Sequence, residues 1–493
     1  MKRARIIALL LQRGSHPTGG NAKMQPLPFL FRMLTGLIET YPLPYPLDAH
    51  QVLDQLRPFG DAVLLDSARP QSDPRFGRYD IIAAAPDLVL KYAHGETRLR
   101  RNNLWQRLGG DPINHLKTLQ EEIAIAPGSS ELPFCGGLIG HFSYDLGRAF
   151  ERLPEIAADD LALPELRVGR YLWAVVIDHD AGSSQLVAHP RADRQQLQML
   201  QRLLSEEHPF TPTTPFRLRS DFVSNLPRAD YMSAFTRVQE YILAGDCYQI
   251  NLTQRFSADC EGDPFHAYRA LRRLATTPFS AYLESEDGAI LSLSPERFLR
   301  VSSSGEVETR PIKGTRPRGR DAAEDRALAA ALARSTKDRA ENLMIVDLLR
   351  NDLGKVCRAG SVKVPELFAI ESYPNVHHLV SAVTGQLATG YTSLDLLRHC
   401  FPGGSITGAP KIRAMEIIDE LEPQRRSIYC GSIGYISADG SMDTSICIRT
   451  LLAQNGSIHC WAGGGIVADS DGADEYQESF DKVNNLLDGL RQL

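Results

Sequence analysis

The chain has 493 residues, 43% of them hydrophobic and 23% charged, a profile typical of a soluble globular protein with two or three domains. Its 54 Lys and Arg against 60 Asp and Glu give a formal net charge of −6, which argues against general nucleic-acid binding and favours small-molecule chemistry. Eight cysteines without a C-x-x-C pair fit a reducing cytoplasm, and no apolar run of about 18 residues predicts a membrane span.

The first half of the chain reads as a tail followed by a sheet-rich domain. Residues 1–33 carry no clear pattern and are expected to be disordered or an upstream extension. From 34 to about 220, short apolar runs such as DAVLLDS and LWAVVIDH alternate with turn residues, which predicts an N-terminal domain of short strands. The Pro- and Thr-rich stretch EEHPFTPTTPFRLRSDF then indicates a boundary near 215–225.

Residues 221–493 form the second predicted domain, in which helix and strand patterns occur in uneven groups. Apolar spacings near 3.6 predict helices at 228–245, 335–354, 393–401, 409–423 and 471–493. Strands are predicted at 289–301, 376–387, 427–437, 444–453 and 457–467. Hairpin-like neighbours favour an α+β fold on large antiparallel sheets over a doubly wound parallel fold.

One lysine, Lys313, lies in TRPIKGTRPRGR between a proline-restrained approach and a glycine, with four arginines nearby. A lysine is a nucleophile only as the neutral amine, and burial together with nearby positive charges would lower its pKa. On this local pattern alone a solvated basic loop is favoured by about three to one, since charged loops are common at surfaces.

Two pairs of acidic residues lie at helical spacing, Asp338 with Glu341 and Glu475 with Glu478. A spacing of three places both carboxylates of a pair on one helix face. Such pairs usually face solvent. If the two faces met, their oxygens would suit Mg²⁺ and leave positions open for waters and an anionic substrate.

Two glycine-rich stretches, FPGGSITGAPK and AGGGIV, can aim backbone N–H groups at an anion. Plain tight turns are the alternative, at about even odds. The first stretch lacks the Gly-Lys-Ser/Thr ending of a phosphate-binding loop, which excludes a nucleotide site there.

Three single residues also stand out. Arg449 lies among apolar neighbours, where burial would require a carboxylate partner from the protein or from a ligand. Glu296 follows a proline at the end of an apolar strand, where a carboxylic acid with a raised pKa could protonate a leaving group. His378 on its own is more typical of a satisfied sheet histidine than of a catalyst, on the order of two to one.

Taken in this order, the segments resemble the chorismate-utilising enzymes, the family of anthranilate, aminodeoxychorismate, isochorismate and salicylate synthases. The similarity runs from about residue 50 to the end and includes GDCYQINL, SLSPERF, RPIKGT, DRAENLMIVDLLRNDLG and EYQESFDK. It implies a sandwich of large antiparallel sheets flanked by helices. It also implies a cytoplasmic enzyme that binds chorismate and has neither a nucleic-acid nor a membrane partner.

The resemblance assigns roles to the residues singled out above and to several others. Mg²⁺ is the implied cofactor, bound by Glu341 and Glu478 with Asp338 and Glu475 as supporting neighbours. The enolpyruvyl carboxylate of chorismate would be held by Arg449, Tyr429 and the backbone at Gly463, Gly464 and Gly465. Further pocket positions are Ser405, Lys482 and His378.

A second ligand site is implied near the N-terminus. The stretch LLDSA at 64–68 resembles the segment where this family binds tryptophan. Ser67 would be its nearest polar anchor, and Asp66 stands in place of the usual Glu.

Two positions discriminate within the family. Gln249 stands where isochorismate and salicylate synthases carry a lysine that activates water, which disfavours water addition. Anthranilate synthases read P-I-A-G-T where this chain has Lys313 in P-I-K-G-T, the pattern of aminodeoxychorismate synthase component I. Anthranilate synthase component I and a non-catalytic chorismate-binding subunit remain the alternatives.

The implied reaction replaces the carbon-4 hydroxyl of chorismate by an amino group, on the route to para-aminobenzoate and folate. Lys313 adds at ring carbon 2 while Glu296 protonates the departing hydroxyl, and ammonia then displaces the lysine at carbon 4. The chain shows no G-x-C-x-G glutaminase elbow. A separate glutamine amidotransferase subunit, component II, is therefore implied as the partner.

Overall fold

Antiparallel strands dominate the architecture. The structure is a computed structural model that describes residues 37–68, 77–206, 209–373 and 376–493. The predicted extension at 1–33 lies outside these ranges. Within them, the strands are β1 Glu39–Leu43, β2 Val63–Asp66, β3 Tyr79–Ala83, β4 Leu88–Ala93, β5 Glu96–Arg101, β6 Leu104–Leu108, β7 Gly137–Phe142, β8 Leu166–Tyr171, β9 Trp173–Asp178, β10 Ser183–Ala188, β11 Arg217–Leu218, β12 Val223–Ser224, β13 Gln249–Glu261, β14 Phe279–Ser285, β15 Gly288–Ser294, β16 Arg297–Val301, β17 Glu306–Thr309, β18 Ile312–Pro317, β19 Lys363–Ser372, β20 Val376–Gln386, β21 Gly408–Ala409, β22 Ser432–Ser437, β23 Met442–Ile446, β24 Thr450–Gln454 and β25 Ser457–Ile466.

Most helices begin after an Asp, Ser or Thr whose side chain accepts a hydrogen bond from the first turn. In the part of the chain described, the helices are α1 Ala49–Leu56, α2 Pro112–Glu122, α3 Arg194–Leu204, α4 Arg228–Ala244, α5 Pro264–Leu274, α6 Ala322–Arg334, α7 Thr336–Gly354, α8 Ser393–Cys400, α9 Lys411–Leu421, α10 Gly472–Asp481 and α11 Asn484–Arg491. None of these helices is long and apolar enough to cross a membrane.

The strands form two sheets, which confirms the predicted α+β class with large antiparallel sheets. One has 13 strands in the order β1-β10-β9-β3-β2-β14-β15-β24-β25-β13-β11, with β12 and β21 also on β13. The other has 12, in the order β18-β20-β17-β16-β23-β22-β7-β8-β4-β5-β6, with β19 on β20. Both sheets take strands from each side of residue 220, and Leu34–Leu493 cluster as one compact unit. The division at 220 stays a prediction.

Two strands predicted as continuous pass from one sheet to the other. The strand at 289–301 is β15 in the larger sheet and β16 in the smaller, with Pro295 and Glu296 between them. The strand at 444–453 is β23 in the smaller sheet and β24 in the larger, interrupted at Arg449, whose φ is +50°. Ile446 N donates to Glu296 O at 3.0 Å, so the crossovers lie side by side.

Other boundaries also differ from the prediction. The helix at 471–493 is two helices, α10 and α11, and the strand at 427–437 is extended only from Ser432. Ser427 and Cys430 have φ of +52° and +62°, which no strand accommodates. The helix predicted at 335–354 is confirmed as α7.

Two large apolar clusters hold the layers together. One lies between the sheets and includes Leu138, Leu299 and Leu452. The other packs α1, α3, α5 and α11 against the opposite face of the larger sheet. A smaller apolar cluster packs α4 and α9 against β13 and β25, so helices cover the carboxyl end of β25.

A buried ion pair between Arg426 and Glu422 fastens the centre of the molecule. The guanidinium Nε and Nη2 donate to the two Glu422 oxygens at 2.9 and 2.6 Å. Nη1 donates to Ile406 O at 2.9 Å, and Glu422 accepts from the backbone N–H and hydroxyl of Thr253. One charged pair therefore ties β13, the end of α9 and the turn Gly404–Ile406 into one unit.

We predict that Arg426→Met lowers the free energy of unfolding by about 3–5 kcal/mol, because it leaves the carboxylate of Glu422 buried without its counter-charge. Arg425→Met is the matched control, since its partner Asp159 lies nearer the surface and such a pair is worth about 0–1 kcal/mol. Thermal and urea unfolding of both variants measure the difference. Equal losses would contradict the anchoring role of Arg426.

Candidate active site

Glu296 lies at the crossover between β15 and β16, where the chain leaves one sheet for the other. It is only 4% exposed, and its Oε1 accepts the hydroxyl of Ser405 at 2.7 Å. Burial raises the pKa of Glu296 to about 7, although the Ser405 hydroxyl, the Lys313 ammonium and the backbone N–H of Ile312 oppose the shift. The carboxyl group is thus able to hold a proton near neutral pH.

Lys313 lies on β18, half-buried, and its Nζ donates to the backbone carbonyl of Ser405 at 3.0 Å. Burial lowers the pKa of this amine, and the charge of Lys482 adds to the effect, whereas Glu341, Glu296 and Glu478 oppose it. The predicted direction is therefore confirmed, and its main cause is burial.

The arginines around Lys313 have carboxylate partners of their own. The pairs are Arg310 with Glu366 and Glu371, Arg316 with Asp338, Arg318 with Asp325, and Arg320 with Glu324. The arginines were predicted to lower the pKa of the Lys313 amine by their positive charge. In the structure, Lys482 has this effect instead.

The two acidic helix faces lie close together near the end of β25, since Lys337 on α7 is 3.7 Å from Glu475 and a Cβ at Gly464 would lie 2.7 Å from Glu475 Oε2. Glu341 on α7 is half-buried and has neither a hydrogen bond nor a salt bridge to any residue the structure describes. Burial raises its pKa, helped by the like charges of Asp338 and Glu475. Asp338 accepts from Arg316 at 2.9 Å, so one member of the α7 pair is neutralised and the other is not.

On α10, both carboxylates have cationic neighbours. Glu475 is buried, accepts from Ser470 Oγ at 2.7 Å and lies 3.7 Å from Lys337 Nζ. Burial and the nearby Glu478 raise its pKa. Glu478 is about 50% exposed and pairs with Lys482 at 2.6 Å. Partial desolvation would raise its pKa, but the charge and hydrogen bond of Lys482 lower it.

This set of carboxylates suits a magnesium ion that keeps part of its shell for water and ligand. Among the described residues no three His, Cys, Asp or Glu side chains converge closely enough to enclose an ion by themselves. Mg²⁺ commonly takes only one or two protein carboxylates and fills the other positions with water or substrate oxygens. The unpartnered carboxylate of Glu341 opposite Glu478 fits that pattern.

The three glycines of β25 are each required by a different neighbour. A Cβ at Gly463 would lie 2.2 Å from Leu252 O, and one at Gly464 would lie 2.7 Å from Glu475 Oε2. One at Gly465 would lie 2.4 Å from Gln249 Nε2. The strand therefore touches β13, the acidic helix and the Gln249 amide at three successive positions.

Gln249 is fully buried, and neither its Oε1 nor its Nε2 has a hydrogen-bond partner in the part of the chain that the structure covers. Buried amides are rarely left unsatisfied. The amide beside Gly465 therefore has unused hydrogen-bonding capacity. It carries no ionisable base.

Arg449 supplies a positive charge that the protein leaves uncompensated. The side chain is half-buried, and no residue in the described ranges makes a hydrogen bond or salt bridge to it. Burial alone lowers its pKa. A guanidinium in this position favours an anionic ligand, because pairing would offset its desolvation.

His378 and Tyr429 are two further residues of the predicted pocket. Burial and the charge of Arg449 lower the pKa of His378 to about 3, so its imidazole is neutral, and its Nδ1 lies 2.9 Å from Thr315 Oγ1. Tyr429 is buried and stacks on Trp461 with ring centroids 6.1 Å apart. Of these two residues, His378 is the one that interacts with Arg449 in the part of the chain that the structure describes.

Sequence reasoning missed the residues that hold these groups in place. Asn251 Nδ2 donates to Ile406 O at 3.0 Å, next to the Arg426 contact, and Lys337 neutralises part of the acidic cluster. The only sequence signal for these residues was the long motif FPGGSITGAPK, which contains the turn that they hold in place.

A separate cavity of about 590 Å³ lies near Ser67, lined by Leu65, Tyr435 and Met442 among others. The Ser67 hydroxyl already donates to Asp80 Oδ1 at 2.8 Å. Asp66 is buried and also borders this cavity, and its carboxylate accepts from Arg272 Nε at 2.7 Å. The tryptophan site at Ser67 stays a prediction, with room for a ligand beside it.

Comparison with known proteins agrees with this arrangement. A family model described as chorismate binding enzyme matches residues 61–488. Aminodeoxychorismate synthase component 1 of Escherichia coli (strain K12) is 52% identical over 432 residues, 87% of this chain and 93% of that protein. Anthranilate synthase component 1 of Thermus thermophilus is 44% identical over 358 residues, 72% and 77% of the respective chains. The crystal structure of anthranilate synthase component I from Streptococcus pneumoniae matches with a TM-score of 0.75 and 34% identity, over 84% of this chain and 93% of that one.

The pKa of Glu296 makes a prediction about stability. Between about pH 4.5 and 7 the folded protein holds a proton that the unfolded chain has lost, so the contribution of Glu296 is present below this window and declines as the pH rises through it. The free energy of unfolding of Glu296→Gln, relative to that of the wild type, should therefore rise by about 3 kcal/mol as the pH goes from 4.5 to 8.

Urea unfolding of both proteins across this range measures the difference, and Glu240→Gln controls for removing one exposed carboxylate. A difference that does not change with pH would show that Glu296 titrates normally.

Proposed function

The chain belongs to the chorismate-binding enzymes, and we propose that it catalyses the reaction of aminodeoxychorismate synthase component 1. The product is 4-amino-4-deoxychorismate, a precursor of para-aminobenzoate and folate. The observation that carries this proposal is the pair formed by Lys313 and Glu296 on either side of Ser405. The family resemblance implies a lysine at this position for amination at carbon 4 and typically an alanine for anthranilate formation. Component 1 proteins from three enterobacteria, 50–52% identical to this chain, support it.

Chorismate carries two carboxylates, and the site offers one positive region for each. Arg449, with Tyr429 and the backbone of Gly463–Gly465, would hold the enolpyruvyl carboxylate, while the neutral His378 faces the ring. Mg²⁺ held by Glu341 and Glu478 would neutralise the ring carboxylate, with Asp338 and Glu475 behind them. Lys482, 2.8 Å from Gly463 O, borders the same space.

Burial sets the protonation states that the chemistry requires. The neutral amine of Lys313 forms a bond to ring carbon 2 as the carbon-4 to oxygen bond breaks, and Glu296 gives its proton to the leaving hydroxyl, which departs as water. Ammonia then bonds to carbon 4 as the carbon-2 to nitrogen bond of Lys313 breaks, which regenerates the neutral lysine. The new ammonium group at carbon 4 returns one proton to the carboxylate of Glu296. The sum is chorismate plus ammonia to 4-amino-4-deoxychorismate plus water.

The amide of Gln249 is consistent with ammonia as the nucleophile. Water is a weak nucleophile that a base must activate, whereas neutral ammonia is nucleophilic enough to attack without prior deprotonation. The fully buried and unsatisfied amide atoms of Gln249 can accept and donate hydrogen bonds to such a molecule without removing its proton.

A separate glutamine amidotransferase subunit, component II, would supply the ammonia. Most ammonia is protonated at neutral pH, so a partner that releases it next to the site overcomes its scarcity. The relatives are named component 1, which supports a second component.

Turnover with ammonium tests the function directly. We predict that the purified chain converts chorismate in the presence of Mg²⁺ and ammonium to 4-amino-4-deoxychorismate, which a lyase then turns into para-aminobenzoate. Lys313→Ala should lower kcat by more than about a thousandfold, as expected for loss of a nucleophile. Mass spectrometry without ammonium should find a covalent adduct on the Lys313 peptide.

Lys363→Ala, an exposed lysine on β19, is the control. Fluorescent anthranilate formed without a lyase would instead favour anthranilate synthase component I. Chorismate binding without turnover would favour a non-catalytic subunit.

The metal site gives a further prediction. Glu341→Gln keeps the shape of the side chain but removes its charge, so Mg²⁺ affinity should fall on the order of tenfold or more. Calorimetric Mg²⁺ titration in the presence of chorismate measures it independently of turnover. Asp347→Asn, on an exposed face of the same helix, should leave affinity unchanged. Equal Mg²⁺ affinity in the wild type and Glu341→Gln would remove Glu341 from the metal site.

A further inference from the structure

Ser405 contacts both groups that the proposed reaction uses. It is 8% exposed and lies in the 3-10 turn Gly404–Ile406. Its hydroxyl donates to Glu296 Oε1 at 2.7 Å, and its carbonyl oxygen accepts from Lys313 Nζ at 3.0 Å. The two groups come from strands of the smaller sheet and its crossover, so the turn is the element that they share.

The turn itself has little freedom to move. Ile406 O accepts from Asn251 Nδ2 at 3.0 Å and from Arg426 Nη1 at 2.9 Å. Thr407 Oγ1 donates to Gly403 O at 3.1 Å, which closes the turn on itself.

Glycines let the turn lie against its neighbours. A Cβ at Gly403 would lie 2.7 Å from Ile446 Cδ1, and one at Gly404 would lie 2.5 Å from Leu348 Cδ2. The turn is therefore pressed against β23 on one side and α7 on the other, and the carbonyl and hydroxyl of Ser405 have fixed directions.

We infer that Ser405 is the positioning residue that aims the proton of Glu296 and the lone pair of Lys313 at the same substrate; this inference rests on the proposed function. Because the Ser405 hydroxyl occupies Oε1 of Glu296, the carboxylic proton resides on Oε2. Because the Ser405 carbonyl takes one N–H of the neutral amine, the nitrogen lone pair points away from the turn. The acid and the nucleophile are then oriented before the substrate arrives.

The pH dependence distinguishes this role from a simple substrate contact. The charged or titratable groups that face Glu296 are Lys313 and Cys430, and the Ser405 hydroxyl lowers the pKa of Glu296 by bonding to its charged form. Glu296 must be protonated to act as an acid, so activity declines as the pH rises through its pKa. Removing the hydroxyl raises that pKa and moves the decline to higher pH.

Ser405→Ala is the direct test. We expect kcat to fall about tenfold or more, the KM for chorismate to stay within about twofold, and the alkaline limb of kcat to move up by about one pH unit. Ser405→Cys, of similar size with a weak donor, should give intermediate values. Ser393→Ala removes a buried hydroxyl that donates to Gly440 O away from the site and should behave as the wild type.

A second readout does not depend on turnover. The pKa of Glu296 is obtained from the pH dependence of the difference in unfolding free energy between Ser405→Ala and the double variant Ser405→Ala with Glu296→Gln. An upward shift of this pKa supports the inference even if no amination occurs, in which case only the proposed function fails. A raised KM with unchanged kcat and unchanged alkaline limb, or an unshifted pKa of Glu296, would overturn the positioning role.

Discussion

The buried pair of Arg426 and Glu422 is the interaction on which the site depends. A guanidinium and a carboxylate taken out of water are favourable only when each finds its partner and further hydrogen bonds. Here those further bonds go to Ile406 O and to Thr253, so satisfying the pair also fixes the turn that carries Ser405. The geometry of Lys313 and Glu296 follows from an ion pair that touches neither of them.

Burial also shifts the pKa values of the two reactive groups, Glu296 and Lys313. Desolvation disfavours whichever form of a group is charged, so one environment raises the pKa of Glu296 and lowers that of Lys313. Both shifts move the acid and the amine toward the protonation states that the proposed reaction needs. Arg449 is the reverse case: its side chain has no hydrogen bond or salt bridge within the part of the chain that the structure describes, and an anionic substrate would offset its desolvation.

Local sequence patterns predicted the elements whose cause is local. The helix at 335–354 was confirmed as α7 because its apolar spacing and its Ser335 cap lie within the segment itself. The strands at 289–301 and 444–453 were predicted as continuous, and each changes sheet in the middle. Which sheet a strand joins depends on partners distant in sequence. Pro295 marked the end of the first strand locally, whereas nothing in the local pattern showed the interruption at Arg449.

The sequence by itself determined the inventory: a lysine in P-I-K-G-T, two acidic pairs at helical spacing, a run of three glycines, and a glutamine where a base would otherwise stand. Only the tertiary structure decided which of these charges are compensated. Arg316 neutralises Asp338, whereas the side chains of Glu341 and Arg449 have no hydrogen bond or salt bridge among the described residues, and Lys482 acts on Lys313 in place of the arginines next to it. The reason is physical: a pKa or an ion pair depends on burial and on atoms a few ångströms away, and those atoms come from residues far apart in the chain.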